Sequence, residues 1–379
     1  MLIILGVLLL ISLVIVHEFG HFIAARRSGI EVEEFGIGFP PRAKILTKKN
    51  GTVYTLNWLP LGGFVKLKGE HDSDTTKGSF GAASLRQKVL VMLAGVFMNI
   101  LAAIFLLSIV TAVGMPKAIE NQFTVASDSK VVQHDVVLGV IPDSPAANAG
   151  LKDGDKIISI VDLTCPERSC VTRIEKSEDL RGATEALAGK KAMVIYERAE
   201  LEYGGETEVQ LLTKDEVEAS KNTDNPKGYL GVVPSDYIKT RSTWSAPIVG
   251  TVVTAQFFGE TLKGLGGIVA DLFRGNAETA KEQVTGVVGI GYVLKELSSQ
   301  GFMAIIFLTS IISVSLAVMN VLPIPALDGG RLFVTVLFRV LRRPLTQKTE
   351  ERIHGTGFAL LMALFVLITI LDVQRFILK

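Results

Sequence analysis

An unbroken apolar run over residues 2–25 carries His17-Glu18-Phe19-Gly20-His21 inside it. A run of this length spans a hydrocarbon core of about 30 Å as a helix. On a helix, positions i and i+4 share a face, so both imidazoles can reach one cation. Zn²⁺ suits two imidazoles and leaves room for a third ligand and a water. Glu18 lies about 100° round the helix from His17, where a carboxylate can act as general base toward that water. Ionisable groups at this depth are expensive, which marks an intramembrane site. The alternative is a helix end whose polar side chains face a partner helix.

Composition agrees with a membrane chain. The 379 residues are 48% hydrophobic with mean hydropathy +0.40, too apolar for an ordinary soluble protein. Charged residues still make up 20%, so a sizeable soluble part is expected too. A net charge of +1 gives no case for nucleic acid. With only Cys165 and Cys170, a Cys-rich zinc module or a disulfide framework is excluded. The opening Met1-Leu2-Ile3-Ile4-Leu5 has no positive n-region, so a cleaved signal peptide is not expected.

Four spans are expected, at 2–25, 89–113, 302–322 and 355–373. Arg26, Arg27, Arg42, Lys44, Lys48 and Lys49 follow the first, and Arg339, Arg342 and Arg343 follow the third. Both clusters mark the cytoplasm, so both termini lie outside and His17 and His21 sit in the inner half of the bilayer. Residues 43–68 read as strands, with a hairpin signal at Lys49-Asn50-Gly51. Open strand edges cannot face lipid. These strands line a protein-enclosed cavity, where a free edge can pair with extended substrate, or they form a plain cytoplasmic hairpin. Asn99, within the second span, is expected to serve packing or site support rather than ligation.

The third span ends in Asn320-Val321-Leu322-Pro323-Ile324-Pro325-Ala326-Leu327-Asp328-Gly329-Gly330-Arg331. Two close prolines stop the helix. Asp328 then sits in a glycine-flanked turn near the inner face, at the depth of His17 and His21. A carboxylate there supplies a third ligand and leaves a fourth place open. The competing reading has Asp328 only capping a helix that starts at Arg331.

From about 118 to 236 the composition turns soluble. Gly139 to Ala147, leading into Ala149 to Ile160, has the strand, turn, short helix and strand of a compact module that closely resembles a PDZ domain with permuted strand order. Gly228-Tyr229-Leu230-Gly231 looks like the loop that receives a peptide C-terminus, with the peptide adding as a strand. Cys165-Pro166-Glu167-Arg168-Ser169-Cys170 is an insertion that can close a disulfide loop outside the cytoplasm. Residues 243–275 read as an amphipathic helix at the outer interface, or as a tail packed on the soluble module.

Together, His17-Glu18-x-x-His21 in a first span, an inserted PDZ-like module and Asn320-x-x-Pro323-x-Pro325-x-Leu327-Asp328-Gly329 resemble the site-2 proteases over nearly the whole chain. The nearest likeness is the regulator of sigma-E protease type, with one PDZ module instead of two. The resemblance implies a polytopic α-helical membrane protein with four transmembrane helices, a membrane-associated β-hairpin or sheet at 43–68 and an extracytoplasmic PDZ (α+β) domain. Its parts would be 1–117, 118–236, an interfacial segment 237–300, and 301–379. It implies one Zn²⁺ per chain on His17, His21 and Asp328, with Glu18 as catalytic base. It further implies that Asn320, Pro323 and Pro325 hold an unwound substrate segment. Substrates would be single-span proteins of the bacterial inner membrane, cut after an upstream site-1-type protease has trimmed them, with the PDZ module filtering by size. Gly36-Ile37-Gly38-Phe39-Pro40 falls where the family carries a glycine-rich turn. Two departures affect local backbone: Ala94-Gly95-Val96 where members show Ala-Gly-Pro, and Gly286-Val287-Val288-Gly289-Ile290 where they show Gly-Pro-Val-Gly-Ile. The rivals are a catalytically silent membrane scaffold that binds partners through its PDZ module, and a metal transporter.

Overall fold

A computed structural model describes residues 2–165, 170–198, 201, 204–223 and 225–378. The chain divides into two compact units, residues 1–113 with 244–379, and residues 114–243. The first unit opens with α1 (Leu2–Arg27), β1 (Val32–Lys49), β2 (Thr52–Leu67) and α2 (Leu85–Val113). The second holds β3 (Met115–Pro116), β4 (Lys130–Val140), α3 (Pro145–Asn148), β5 (Lys156–Asp162), β6 (Val171–Arg173), α4 (Ser177–Ala186), β7 (Lys191–Glu197), β8 (Gly205–Gln210), α5 (Lys214–Ser220) and β9 (Val232–Arg241). The chain then returns to the first unit with α6 (Ala246–Phe273), α7 (Ala277–Gln283), α8 (Val287–Ser299), α9 (Phe302–Val321), α10 (Asp328–Val340) and α11 (Gln347–Phe376).

Among the described residues, α1, α2, α9 and α11 are long and apolar enough to cross a membrane. Helices α2 and α11 begin before the apolar runs that announce them. The reason is at the helix starts: Thr346 caps α11, its side chain accepting from the Thr349 N–H, and the polar first turns continue in helix. Glycine sets the crossing of α1 and α2. A Cβ on Gly20 would lie 2.5 Å from the Ala94 carbonyl oxygen, so the two helices meet backbone to backbone. Helix α9 joins α2 where the Ser313 hydroxyl donates to the Asn99 carbonyl at 2.8 Å.

The strands start earlier than the sequence suggests, at Val32. Each of β1 and β2 doubles back. Glu34, Phe35 and Gly36 pair on one side with Lys66, Val65 and Phe64, and on the other with Val53, Tyr54 and Thr55. Gly38 and Gly62, with φ of 81° and 77°, occupy the left-handed conformations that such reversals need. Residues 63–67 therefore run along an outer edge of the sheet. Phe22 fixes the sheet to α1 through ring contacts with Phe35 (5.5 Å) and Tyr54 (6.0 Å).

Helix α6 replaces the expected interfacial segment with a bundle contact over its first turns. Ala246, Val249, Gly250, Val253 and Phe257 are buried. A Cβ on Gly250 would stand 2.5 Å from the Ser108 hydroxyl of α2, and Phe257 meets Phe307 of α9 at 6.1 Å. The exposed Glu260 and Lys263 fall in its second half and the exposed Arg274 follows its last residue, which gave the sequence its amphipathic look. Helix α8, unmarked in the sequence, is capped from another helix. The buried Asp372 carboxylate of α11 accepts from the N–H groups of Gly286 (3.0 Å) and Gly289 (2.8 Å).

The second unit is an antiparallel sheet in the order β3-β9-β4-β5-β7-β8, with β6 beside β5. Leu138, Ile157, Ile160, Leu180, Val194 and Leu230 form its core. Cys165 and Cys170 are disulfide-bonded; residues 166–169 of that insertion lie outside the described residues. Asp155, 1% exposed, is held by Arg198 at 2.6 and 2.7 Å in a two-pronged pair. Breaking such a buried pair from one side strands a charge and costs about 3–5 kcal/mol. Arg198→Met should therefore sharply reduce amide hydrogen-exchange protection in β4 and β5. Unchanged protection would show that the pair is dispensable.

Candidate metal centre

His17 and His21 stand one turn apart on α1. The His21 Nδ1–H donates to the Val91 carbonyl of α2 at 2.7 Å, which leaves its Nε2 lone pair facing inward. The two Nε2 atoms are 3.1 Å apart. Asp328 Oδ2 lies 3.0 Å from His17 Nε2 and 3.2 Å from His21 Nε2. For bonds of about 2.0–2.1 Å, the edge of a ligand tetrahedron is about 3.3 Å, so the three donors are spaced as neighbouring ligands of one zinc ion.

Asp328 reaches this point because α10 begins there. The sequence reading placed it in a glycine-flanked turn before a helix starting at Arg331; the structure makes it the first residue of the helix. Gly329 and Gly330 lie inside α10. A Cβ on either would collide with the carbonyls of Val321 and Leu322 or of Ile324. The two glycines thus let the new helix start tight against the turn that ends α9.

Glycine also empties the centre. A Cβ on Gly95 would lie 2.5 Å from both Nε2 atoms of His17 and His21, in the space that a coordinated ion needs. The donor chemistry, the spacing and this gap fit zinc. The sequence showed Gly95 only as a glycine in an apolar run, beside a motif departure, and marked Val91 in no way.

Glu18 shares a cavity of about 130 Å³ with His21, Val65, Glu70, Asp328 and Arg331. The Val65 backbone amide lies beside the Glu18 carboxylate. The Leu67 N–H donates to Glu70 at 2.9 Å. Arg331 closes one wall: its Nη2 donates to the Glu70 carbonyl at 2.5 Å, and its guanidinium lies 5.2 Å from the Phe80 ring. His17 Nδ1 faces the Asn99 side chain at 3.2 Å.

Asn320, Pro323 and Pro325 do not line that cavity. The Asn320 amide donates to the Leu316 carbonyl of its own helix at 3.0 Å. Pro325 packs against α11, where a Cβ on Gly357 would strike it. In the second unit, Leu230 is a core residue. The Tyr229 and Leu230 carbonyls accept from Leu212 (2.9 Å) and Ala146 (3.0 Å), and Gly231 donates to the Gly228 carbonyl at 3.0 Å. Gly231 has φ of 74°, and a Cβ there would collide with Ser144.

Two imidazoles, a carboxylate and an adjacent glutamate within apolar helices define a zinc hydrolase of the membrane. Comparison with known proteins agrees. A model of peptidase family M50 matches residues 5–364. A candidate zinc metalloprotease of Clostridium perfringens is 31% identical, with 98% of each chain covered. The zinc metalloprotease RasP of Geobacillus kaustophilus is 26% identical over 97% of this chain and 96% of its own. The chain belongs to peptidase family M50, the site-2 proteases, and is a zinc metalloprotease acting on membrane proteins in a bilayer.

The Gly95 gap yields a direct expectation. Gly95→Ala should purify as a folded protein with little or no zinc by elemental analysis, whereas Gly266→Ala, with open space around its Cβ position, should keep the full content. Stoichiometric zinc in Gly95→Ala would refute the placement of the ion.

Proposed function

We propose that this protein is an intramembrane endopeptidase that cuts the spanning segments of single-span membrane proteins, with His17, His21 and Asp328 as zinc ligands and Glu18 as general base. One observation carries the reading. Donor atoms from residues 311 apart in sequence converge to 3.0 Å, beside a glutamate, with both histidines on a helix long and apolar enough to cross a membrane.

A zinc ion held there supplies Lewis acidity toward the scissile carbonyl. Glu18 takes a proton from the attacking water and then delivers it to the leaving nitrogen. A helical peptide bond has its carbonyl tied into the helix, so the substrate must become extended before attack. The outer edge at residues 63–67 offers a template. Its Leu67 amide donates to the Glu70 carboxylate rather than to another strand. An added substrate strand would use such an edge. Asn320, Pro323 and Pro325 are assigned to hold the unwound segment where it enters.

The second unit is assigned as a PDZ-type module whose Gly228-Tyr229-Leu230-Gly231 loop and β9 receive a peptide. It admits substrates whose outer parts a first protease has already trimmed. The assigned setting is the bacterial cytoplasmic membrane, with this unit and both termini outside and the zinc site toward the cytoplasm. Arg26, Arg27, Arg339, Arg342 and Arg343 support that orientation, as does the Cys165–Cys170 disulfide, which persists in oxidising compartments.

Glu18→Gln should keep its zinc and lose about 10²- to 10⁴-fold in cleavage rate on a model single-span substrate. Chelation of the parent protein should abolish cleavage, and added zinc should restore it. Normal cleavage by Glu18→Gln removes the proposal. Membranes with and without active protein should also differ in which small spanning fragments accumulate, and those fragments identify the substrates.

A further inference from the structure

Asn99 is wholly buried in α2, and its side chain meets His17 Nδ1 at 3.2 Å. Its Oδ1 is buried without a hydrogen-bond partner. The hydrogen bond from Ser313 of α9 goes to the Asn99 backbone carbonyl and does not involve this side chain. A buried amide with one free end, in apolar surroundings, calls for an explanation.

The chemistry of the neighbouring imidazole provides one. A neutral imidazole has one N–H and one lone pair. If His17 gives its Nε2 lone pair to a cation, its Nδ1 carries the hydrogen and needs an acceptor. His21 has that acceptor built into the backbone, the Val91 carbonyl at 2.7 Å. His17 has no carbonyl in that role among its hydrogen bonds, only Asn99. The two ends of an amide are interchangeable in shape, and rotation brings Oδ1 to face Nδ1. Oδ1 has no bond to lose by turning.

We infer that Asn99 is the positioning residue of His17: its Oδ1 accepts the Nδ1–H and thereby holds Nε2 toward the zinc. Helix α2 would then orient both histidines from behind, by a main-chain carbonyl at Val91 and a side-chain carbonyl at Asn99, with Gly95 leaving the gap between them. Asn99 touches neither substrate nor reacting atoms. Its effect is on how tightly and in what geometry the metal is held. The inference rests on His17, His21 and Asp328 being the ligands.

The test is zinc affinity, measured by chelator competition on the purified full chain in detergent, with thermal unfolding of the metal-free protein alongside. Asn99→Leu removes the acceptor at similar volume and should bind zinc about 10- to 100-fold more weakly, while the metal-free protein melts as the parent does. Asn99→Asp keeps an acceptor and should bind zinc at least as tightly as the parent. With Co²⁺ in place of zinc, the Asn99→Leu absorption bands should shift and those of Asn99→Asp should stay close to the parent's. Parental zinc affinity in Asn99→Leu overturns the inference. So does an equal loss in both variants, which would mean that Asn99 donates to His17 instead. A lowered metal-free melting temperature in Asn99→Leu with no extra zinc defect assigns it to packing and overturns the inference too. His17→Ala separates the two levels. Zinc loss there with none in Asn99→Leu removes only the role of Asn99, while zinc retention in His17→Ala removes the ligand assignment itself.

Discussion

Polar groups inside a hydrocarbon layer have no water to turn to, and the first unit is arranged around that constraint. Two imidazoles and a carboxylate at bilayer depth are tolerable only if they face one another or a cation. The helices are spaced to bring this about. Gly20 lets α1 lie against α2, Gly95 leaves the centre open, and Gly329 and Gly330 let α10 begin beside the end of α9. Four glycines on three helices thus serve one cluster of three donor atoms. The same demand reaches outward: the Val91 carbonyl supports His21, and Arg331 is itself supported by the Glu70 carbonyl and the Phe80 ring.

The sheet meets the same constraint differently. Residues 34–37 and 53–56 are each paired on both sides, which leaves 42–49 and 63–67 as the two edges. On the second edge the Glu70 carboxylate takes up the Leu67 amide, and the Glu18 carboxylate lies beside Val65. The group assigned to proton transfer therefore lies against a strand edge. In the proposed reaction, substrate arrives at the place where the two meet.

Much of this was legible in the sequence, for definable reasons. Spans announce themselves through long apolar runs, and His-Glu-x-x-His carries its geometry in its spacing. The Asn-Gly turn at Asn50 and Gly51 signals the hairpin. Other features are invisible locally. Nothing near Val32 reveals that β1 starts there, because pairing on both sides is a tertiary property. Nothing in Ala94-Gly95-Val96 says that Gly95 faces two imidazoles. Asp328 was expected in a glycine-flanked turn because two close prolines stop the preceding helix; here the glycines sit inside a new helix, where close approach to the preceding carbonyls outweighs their poor propensity. Helix α6 looked interfacial because the charges of its second half alternate with apolar residues, while the packing of its first half against α2 and α9 is a tertiary property.

The distance along the chain between His17 and Asp328 has a consequence for how the protein is made. The ribosome releases the histidine helix early, and the carboxylate follows 311 residues later, after the whole soluble unit has been synthesised. On the proposed assignment, a half-translated molecule would own the base and two nitrogens yet lack the third donor. Hydrolytic competence would then come only near the end of synthesis, and nascent chains would stay harmless to the membrane that receives them.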